Sequence, residues 1–217
     1  MAPIAINGLG RIGRAALKIA LSIDGADAAA VNDLIPAGHI AYLLRYDTVC
    51  GRYGMPMAVR GDSLIMDGRP VRVLACRAAP AKLGVDLVLA YTGAFRREED
   101  LRKHLAAGAR FVSLPAPARA ETVATVVHGV NQAPAGQQMI SCASCTTNRI
   151  TPVAEVMSRR IGVRQAIMTA VHAHTPSQQL IDGPAEDFRR GRAGARWSGR
   201  YCRSSACPFP SSPGPRR

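Results

Sequence analysis

The segment "ISCASCTTN", residues 140–148, gathers two cysteines, two serines, two threonines and an asparagine between an apolar run and a helix-like pattern. Three chemistries use such a cluster: a thiolate metal site, a dithiol redox pair, or one activated nucleophile. Cys142 and Cys145 have the C-x-x-C spacing, and Cys202 with Cys207 could add two more thiolates. Four residues separate that second pair, and it stands in sequence without a regular pattern, so a closed tetrahedral zinc site is disfavoured and no metal is expected. A redox pair belongs early in a βα unit, with no dinucleotide fold before it. Cys145 stands where a strand gives way to a helix, and helix-terminal amides favour a thiolate there. A nucleophile of this kind takes a histidine as proton acceptor. His172 and His174 follow on the next strand pattern, two apart and so on one face, and periodicity does not choose between them.

A second cluster lies at the start of the chain. In Gly8-Leu9-Gly10-Arg11-Ile12-Gly13 the first glycine suits a tight turn, the second lets a pyrophosphate approach the backbone, and the third lets a helix pack on its strand. The turn leaves the strand pattern "PIAIN" and opens the helix pattern "RAALKIALSI", whose first amides favour phosphate charge. Asp33 follows Gly13 by twenty residues at a strand end. It can accept both ribose hydroxyls of an adenosine half and repel a 2′-phosphate, so NAD is expected rather than NADP.

The elements that must position these residues alternate. "ADAAAVND" reads as a second strand, and "MPMAVRGDSLIMDGRPVRVLAC" as an antiparallel ribbon around Gly61-Asp62 and Asp67-Gly68. "VDLVLAYTG" is a continuous apolar strand of the kind buried on both faces. Residues 97–107 read as a helix, with Glu98 before Arg102 and Glu99 before Lys103, stopped by Gly108. "RFVSL", "TVATVVHGV" and "QQMIS" supply strands, a helix starts just beyond Cys145, and "RQAIMTAVHA" returns to strand. Alternating β and α elements predict an α/β, doubly wound, Rossmann-type sheet.

At 217 residues the chain allows one large or two modest domains. No run approaches the roughly 18 apolar residues of a membrane span. Six cysteines spread over this length suit a reduced compartment. A cytoplasmic protein without a membrane partner is expected. The formal charge of +13 would suggest nucleic acid, but eight arginines and no acid lie from Arg189 onward, so the body is only mildly basic. Nucleic acid could associate weakly, through that tail alone.

"INGLGRIGR", "VNDL", "YLLRYDTV", "VVHGVN", "SCASCTTN", "AVHAHTPSQQLIDGP" and "RRGRA" together resemble phosphorylating glyceraldehyde-3-phosphate dehydrogenase, from about Ile4 to Ala195. The resemblance implies that Cys145 is the nucleophile and His172, twenty-seven residues on, its proton acceptor. It implies that Gly8, Gly10, Arg11, Ile12, Gly13, Asp33, Thr92 and Gly93 hold NAD. Ser144, Thr146 and Thr175 are implied to hold the phosphates of a triose phosphate and of inorganic phosphate, and the assembly is implied to be a homo-oligomer, a tetramer in intact members. Erythrose-4-phosphate dehydrogenase is the enzymatic alternative, and a non-catalytic NAD-binding fragment with a basic tail is the other.

Four positions depart from the pattern of that family. Pro115 stands where a serine is usual, Ala90 and Tyr91 replace an acid and a small residue, and Arg149 replaces a second cysteine. The resemblance divides the chain into an NAD-binding Rossmann domain at 1–145 and the start of an incomplete α+β catalytic domain at 146–195, and sequence without a period makes 196–217 a disordered or aberrant tail. That tail, rich in Arg, Ser and Pro, reads as truncation followed by frame-shifted translation, and the truncation is expected to impair the activity.

Overall fold

The computed structural model describes residues 1–77, 84–169, 171–173 and 202–203. Two compact units divide the chain, Met1–Glu155 and Val156–Arg217. In the first, β1 (Ala2–Asn7) leads through the glycine turn into α1 (Arg11–Ser22), and β2 (Ala26–Asn32) leads into α2 (Ala37–Arg45). An antiparallel ribbon of β3 (Met57–Arg60), β4 (Ser63–Met66) and β5 (Arg69–Leu74) follows. Then come β6 (Leu87–Ala90), α3 (Glu98–Ala106), β7 (Phe111–Leu114), β8 (Ala124–Thr125), β9 (Met139–Ser141) and α4 (Cys145–Arg160).

Nine strands form one sheet in the order β3-β4-β5-β2-β1-β6-β7-β9-β8. From β5 to β8 every described pairing is parallel. The strand order reverses at β1, which has β2 on one side and β6 on the other. A crevice opens outside the carboxyl ends of strands at such a point. Successive residues of β1 and β2 enter different clusters: Ile6 and Val31 pack with Leu17, Ile40 and Leu64, while Ala5 and Ala30 pack with Val85 and Val88. Side chains of a strand alternate between faces, so both faces are covered, as the apolar runs of a doubly wound sheet require.

The helices follow their apolar spacing. In α1 the buried residues are Gly13, Leu17 and Ala20. α3 begins with Glu98, Glu99 and Asp100, which suits the positive end of its dipole, and Gly108 beyond its end has φ +107. Arg102 pairs with Glu98 as expected, whereas Lys103 turns to Asp100 at 2.7 Å rather than to Glu99. The helix α2 is absent from the sequence reading, although Ala37, Ile40, Ala41 and Leu44 fall at its period.

Several expected strands are shorter than read, and "VDLVLAYTG" is a strand over Leu87–Ala90. "TVATVVHGV" yields only Ala124–Thr125, because the Asn131 Oδ1 accepts the Val127 amide at 2.7 Å and Gly129, at φ +77, turns the chain. Among its described residues, "RQAIMTAVHA" contributes β10 (Val171–His172), which pairs antiparallel with β11 (Cys202–Arg203) from the tail. Residues 165–169 are irregular and Ile167 is 94% exposed.

Candidate dinucleotide and nucleophile site

The glycine turn is built by contact on two sides. At Gly8, φ is +103, and a Cβ would lie 2.5 Å from the Thr92 nitrogen, so β1 and the end of β6 meet backbone to backbone. At Gly13 a Cβ would stand 1.9 Å from the Gly8 carbonyl oxygen. The helix therefore lies against its own turn. Gly10 differs: its φ is −61 and no atom of the described residues outside its chain neighbours lies within 4 Å of its Cβ position. Gly10 is also the residue preceding α1, and among the described residues no side chain caps the first turn of that helix. A helix start of this kind presents amides to an anion.

Asp33 is tied to the same turn. Its Oδ2 accepts the Leu9 amide at 2.6 Å and its Oδ1 the Ile35 amide at 3.3 Å. The strand ends that carry turn and acid are locked in register, since the Gly8 amide donates to the Asn32 carbonyl at 2.8 Å and Asp33 to that of Leu74 at 3.0 Å. Gly8, Gly13, Asp33 and Thr92 are thus brought together at the crevice. Gly93, at φ +74, follows in the loop after β6, and Arg11 and Ile12 extend to solvent from the first turn of α1. These residues fit a dinucleotide: an acid beside the turn for ribose, open space over Gly10 for pyrophosphate.

Tyr91 occupies the floor. Its ring lies 3.6 Å from the Cβ position of Gly13, and its amide donates to the Asn7 carbonyl at 2.6 Å. Burial raises its phenol above the ordinary range, and the nearby Cys142 adds to the shift. Tyr91 therefore packs at the turn, within electrostatic reach of Cys142. Ala90 is buried at the end of β6, Pro115 is half-buried after β7, and Arg149 is exposed on α4.

The cysteine segment forms a strand-to-helix corner. Ala143 sits at φ +58, which is costly for a residue with a Cβ and must be imposed by its surroundings. Three bonds impose it: the Cys142 amide donates to Leu114 at 2.7 Å, the Ala143 amide to Ser141 Oγ at 3.1 Å, and Ser141 Oγ to Ala116 at 2.8 Å. The Cys142 sulfur is hydrogen-bonded to Ser113 Oγ at 3.2 Å, a structural attachment. Ser144 Oγ accepts the Thr147 amide at 3.0 Å and so caps α4. Asn148 holds the carbonyls of Cys142 and Ser144. The result places Cys145, exposed, as the first residue of α4, with Thr146 half-buried behind it. Any anion at Ser144 shares its oxygen with the cap.

His172 lies in β10 of the second unit, and its side chain is outside the described residues, as are His174 and Thr175 entirely. No cluster of metal-binding side chains occurs among the described residues. Missed by the sequence reading are three buried polar residues beneath the turn, Asn7, Asn32 and His104. The signal for two of them was an asparagine closing each of two strands, just before Gly8 and before Asp33.

Strand order, glycine turn and tethered acid together define a Rossmann-type, dinucleotide-binding α/β protein, with a cysteine presented at a helix start in the same unit. The NAD binding domain of glyceraldehyde 3-phosphate dehydrogenase matches residues 2–98, and the C-terminal domain of the same enzyme matches residues 144–197. The chain is 43% identical over 199 residues to the glyceraldehyde-3-phosphate dehydrogenase of Geobacillus stearothermophilus, covering 88% of this chain and 59% of the relative. It is 44% identical over 202 residues to that of Streptomyces coelicolor, covering 88% and 59%, and 45% identical over 203 residues to that of Kitasatospora aureofaciens, covering 90% and 61%. This chain belongs to the glyceraldehyde-3-phosphate dehydrogenase family. It spans about three fifths of the length of these curated relatives.

Proposed function

We propose that the chain binds NAD at the glycine turn and uses Cys145 for the oxidative phosphorylation of glyceraldehyde 3-phosphate. The observation that carries the reading is the contrast among three glycines. Gly8 and Gly13 have no room for a Cβ, while Gly10 faces open space beside Asp33 and an uncapped helix start. Gly8, Arg11, Ile12, Thr92 and Gly93 would complete the cofactor's surroundings. When bound, NAD supplies the hydride acceptor.

Cys145, as thiolate, attacks the aldehyde carbon and forms a hemithioacetal. His172 takes the hydroxyl proton as this adduct is oxidised to a thioester on Cys145. Attack by inorganic phosphate, held by Thr146 and Thr175 with Ser144, breaks the carbon–sulfur bond, releasing an acyl phosphate and the thiolate. The strained corner at Ala143 and the cap at Ser144 support the placement of the nucleophile. The reading extends to a homo-oligomer in the cytoplasm. Exposed apolar residues along α4, among them Val153, Val156 and Met157, support burial in an assembly. No described helix is long and apolar enough to cross a membrane.

Absorbance of the reduced nicotinamide, followed with glyceraldehyde 3-phosphate, NAD and phosphate, tests this, with erythrose 4-phosphate as the comparison substrate. Turnover that is faster with the triose and abolished in Cys145→Ser is expected. Undiminished turnover in that variant, or no NAD binding by the full chain, overturns the reading.

A further inference from the structure

Beneath the glycine turn runs a chain of hydrogen bonds whose direction is determined at one end. Asn32, 5% exposed, grips the backbone of Cys76 at two points: its Oδ1 accepts the Cys76 amide at 2.8 Å and its Nδ2 donates to the Cys76 carbonyl at 2.9 Å. A backbone amide can only donate, so the Asn32 side chain cannot be turned over. Its Nδ2 therefore faces Asn7, which must present Oδ1 to it, at 2.8 Å. The Nδ2 of Asn7 is then left to donate to His104 Nε2 at 2.9 Å. Each orientation forces the next.

The final acceptor must be an unprotonated Nε2, so His104 carries its proton on Nδ1, which donates to the Asp100 carbonyl at 3.1 Å. Asn7 and His104 are each only 1% exposed, and Phe95 packs edge-on against the imidazole with centroids 5.4 Å apart. Water cannot replace a partner in the buried Asn32–Asn7–His104 links, and a break there leaves a buried polar group unsatisfied. The chain joins the tips of β1 and β2, the segment after β5, and α3. Those two tips carry Gly8 and Asp33, the two sides of the dinucleotide seat.

We propose that His104, as its neutral Nδ1–H tautomer, is a positioning residue for the dinucleotide site: it terminates the Cys76–Asn32–Asn7 chain and so holds Asp33 at its distance from the glycine turn. It touches no ligand itself. This inference rests on the NAD reading above only for its consequence in binding. The bond chain is testable without any ligand.

The test compares His104→Phe, which keeps a ring against Phe95 but accepts nothing, with His104→Gln, whose amide oxygen reaches the place of Nε2. In the full, ligand-free chain, amide hydrogen exchange at Leu9 and Cys76 should accelerate about tenfold in His104→Phe, the loss of one buried hydrogen bond, while Val88 and Val112 keep their rates. Exchange in His104→Gln should return close to the original. NAD affinity should fall by about tenfold in His104→Phe and recover in His104→Gln. Unchanged exchange at Leu9 and Cys76 in folded His104→Phe overturns the proposal, as does unchanged NAD affinity. Should the original chain bind no NAD, the functional reading fails while the exchange experiment still decides the bond chain. Nitrogen chemical shifts of His104 give a measurement that needs no variant: a proton found on Nε2 at neutral pH overturns the assignment.

Discussion

Substituting Gly10 by alanine separates the fold from the site. At φ −61 and ψ −170 the backbone suits any residue, and no atom of the described residues beyond its chain neighbours lies within 4 Å of the new methyl. Two small terms then oppose each other in the folded chain: alanine restricts the unfolded state, worth about 0.4–1 kcal/mol, and is a poorer residue than glycine before a helix by a comparable amount. The denaturant midpoint should therefore barely move. Binding is different, because the open space over Gly10 is where the pyrophosphate would approach the backbone. A methyl forced into a filled contact costs about 1–3 kcal/mol, which weakens NAD by about 5- to 150-fold. Calorimetric titration with NAD beside urea unfolding of the same sample reads both quantities. Gly13→Ala should do the reverse: its Cβ would stand 1.9 Å from the Gly8 oxygen, more than 1 Å inside the 3.0 Å limit of real Cβ contacts, so a loss of about 3 kcal/mol in stability is expected. If Gly10→Ala leaves NAD affinity intact, the phosphates do not pass over Gly10 and the assignment of the turn is wrong.

Two further outcomes follow from the bonds described. Asp33→Asn keeps an acceptor for the Leu9 amide but loses the charge, so NAD should weaken by about tenfold and the preference over NADP should narrow, as paired titrations would register; an unchanged ratio would place Asp33 away from the ribose. Stability should decline with acid in two stages. Burial holds His104 below its ordinary value of 6.5, so its contribution is complete above pH 6.5 and is lost as pH falls from there through the folded value, at a slope of at most about 1.4 kcal/mol per pH unit. Asp100 and Lys103 are the charged groups acting on it, while Asn7 and Phe95 are neutral. Glu98, Asp100 and Asp47 are held below their ordinary values by hydrogen bonds, so their part is present above pH 4.5 and disappears below it. Urea midpoints between pH 7.5 and 5, a range set about the reference histidine value, isolate the first stage, and His104→Gln should flatten it.

How much of this was legible depended on the range of the forces involved. The glycine turn could be read because strand, turn and helix lie within some twenty residues, and Asp33 because a short strand carries it back beside the turn. The helix start at Cys145 was legible from Ile150, Val153, Ala154 and Met157, and the structure begins α4 at that cysteine itself. The early part of "TVATVVHGV" has a strand pattern that its later part shares, yet Asn131 closes on Val127 and ends pairing after two residues. The family resemblance chose His172 over His174 and implied a role for Thr175 that no local pattern contains.

By itself, the order of residues determined the element types, the glycine pattern and the positions of acid and cysteine, since propensity, periodicity and turn chemistry act between near neighbours. Only the folded chain decided that Gly8 would press on Thr92, that the Tyr91 ring would pack beside Gly13, and that Asn7 would meet Asn32 and His104, 25 and 97 residues away. Those contacts come from the strand order of the sheet, which brings the ends of β1, β2 and β6 side by side. Hydrogen bonds between residues so distant in sequence are specified by packing, and no spacing along the chain encodes them.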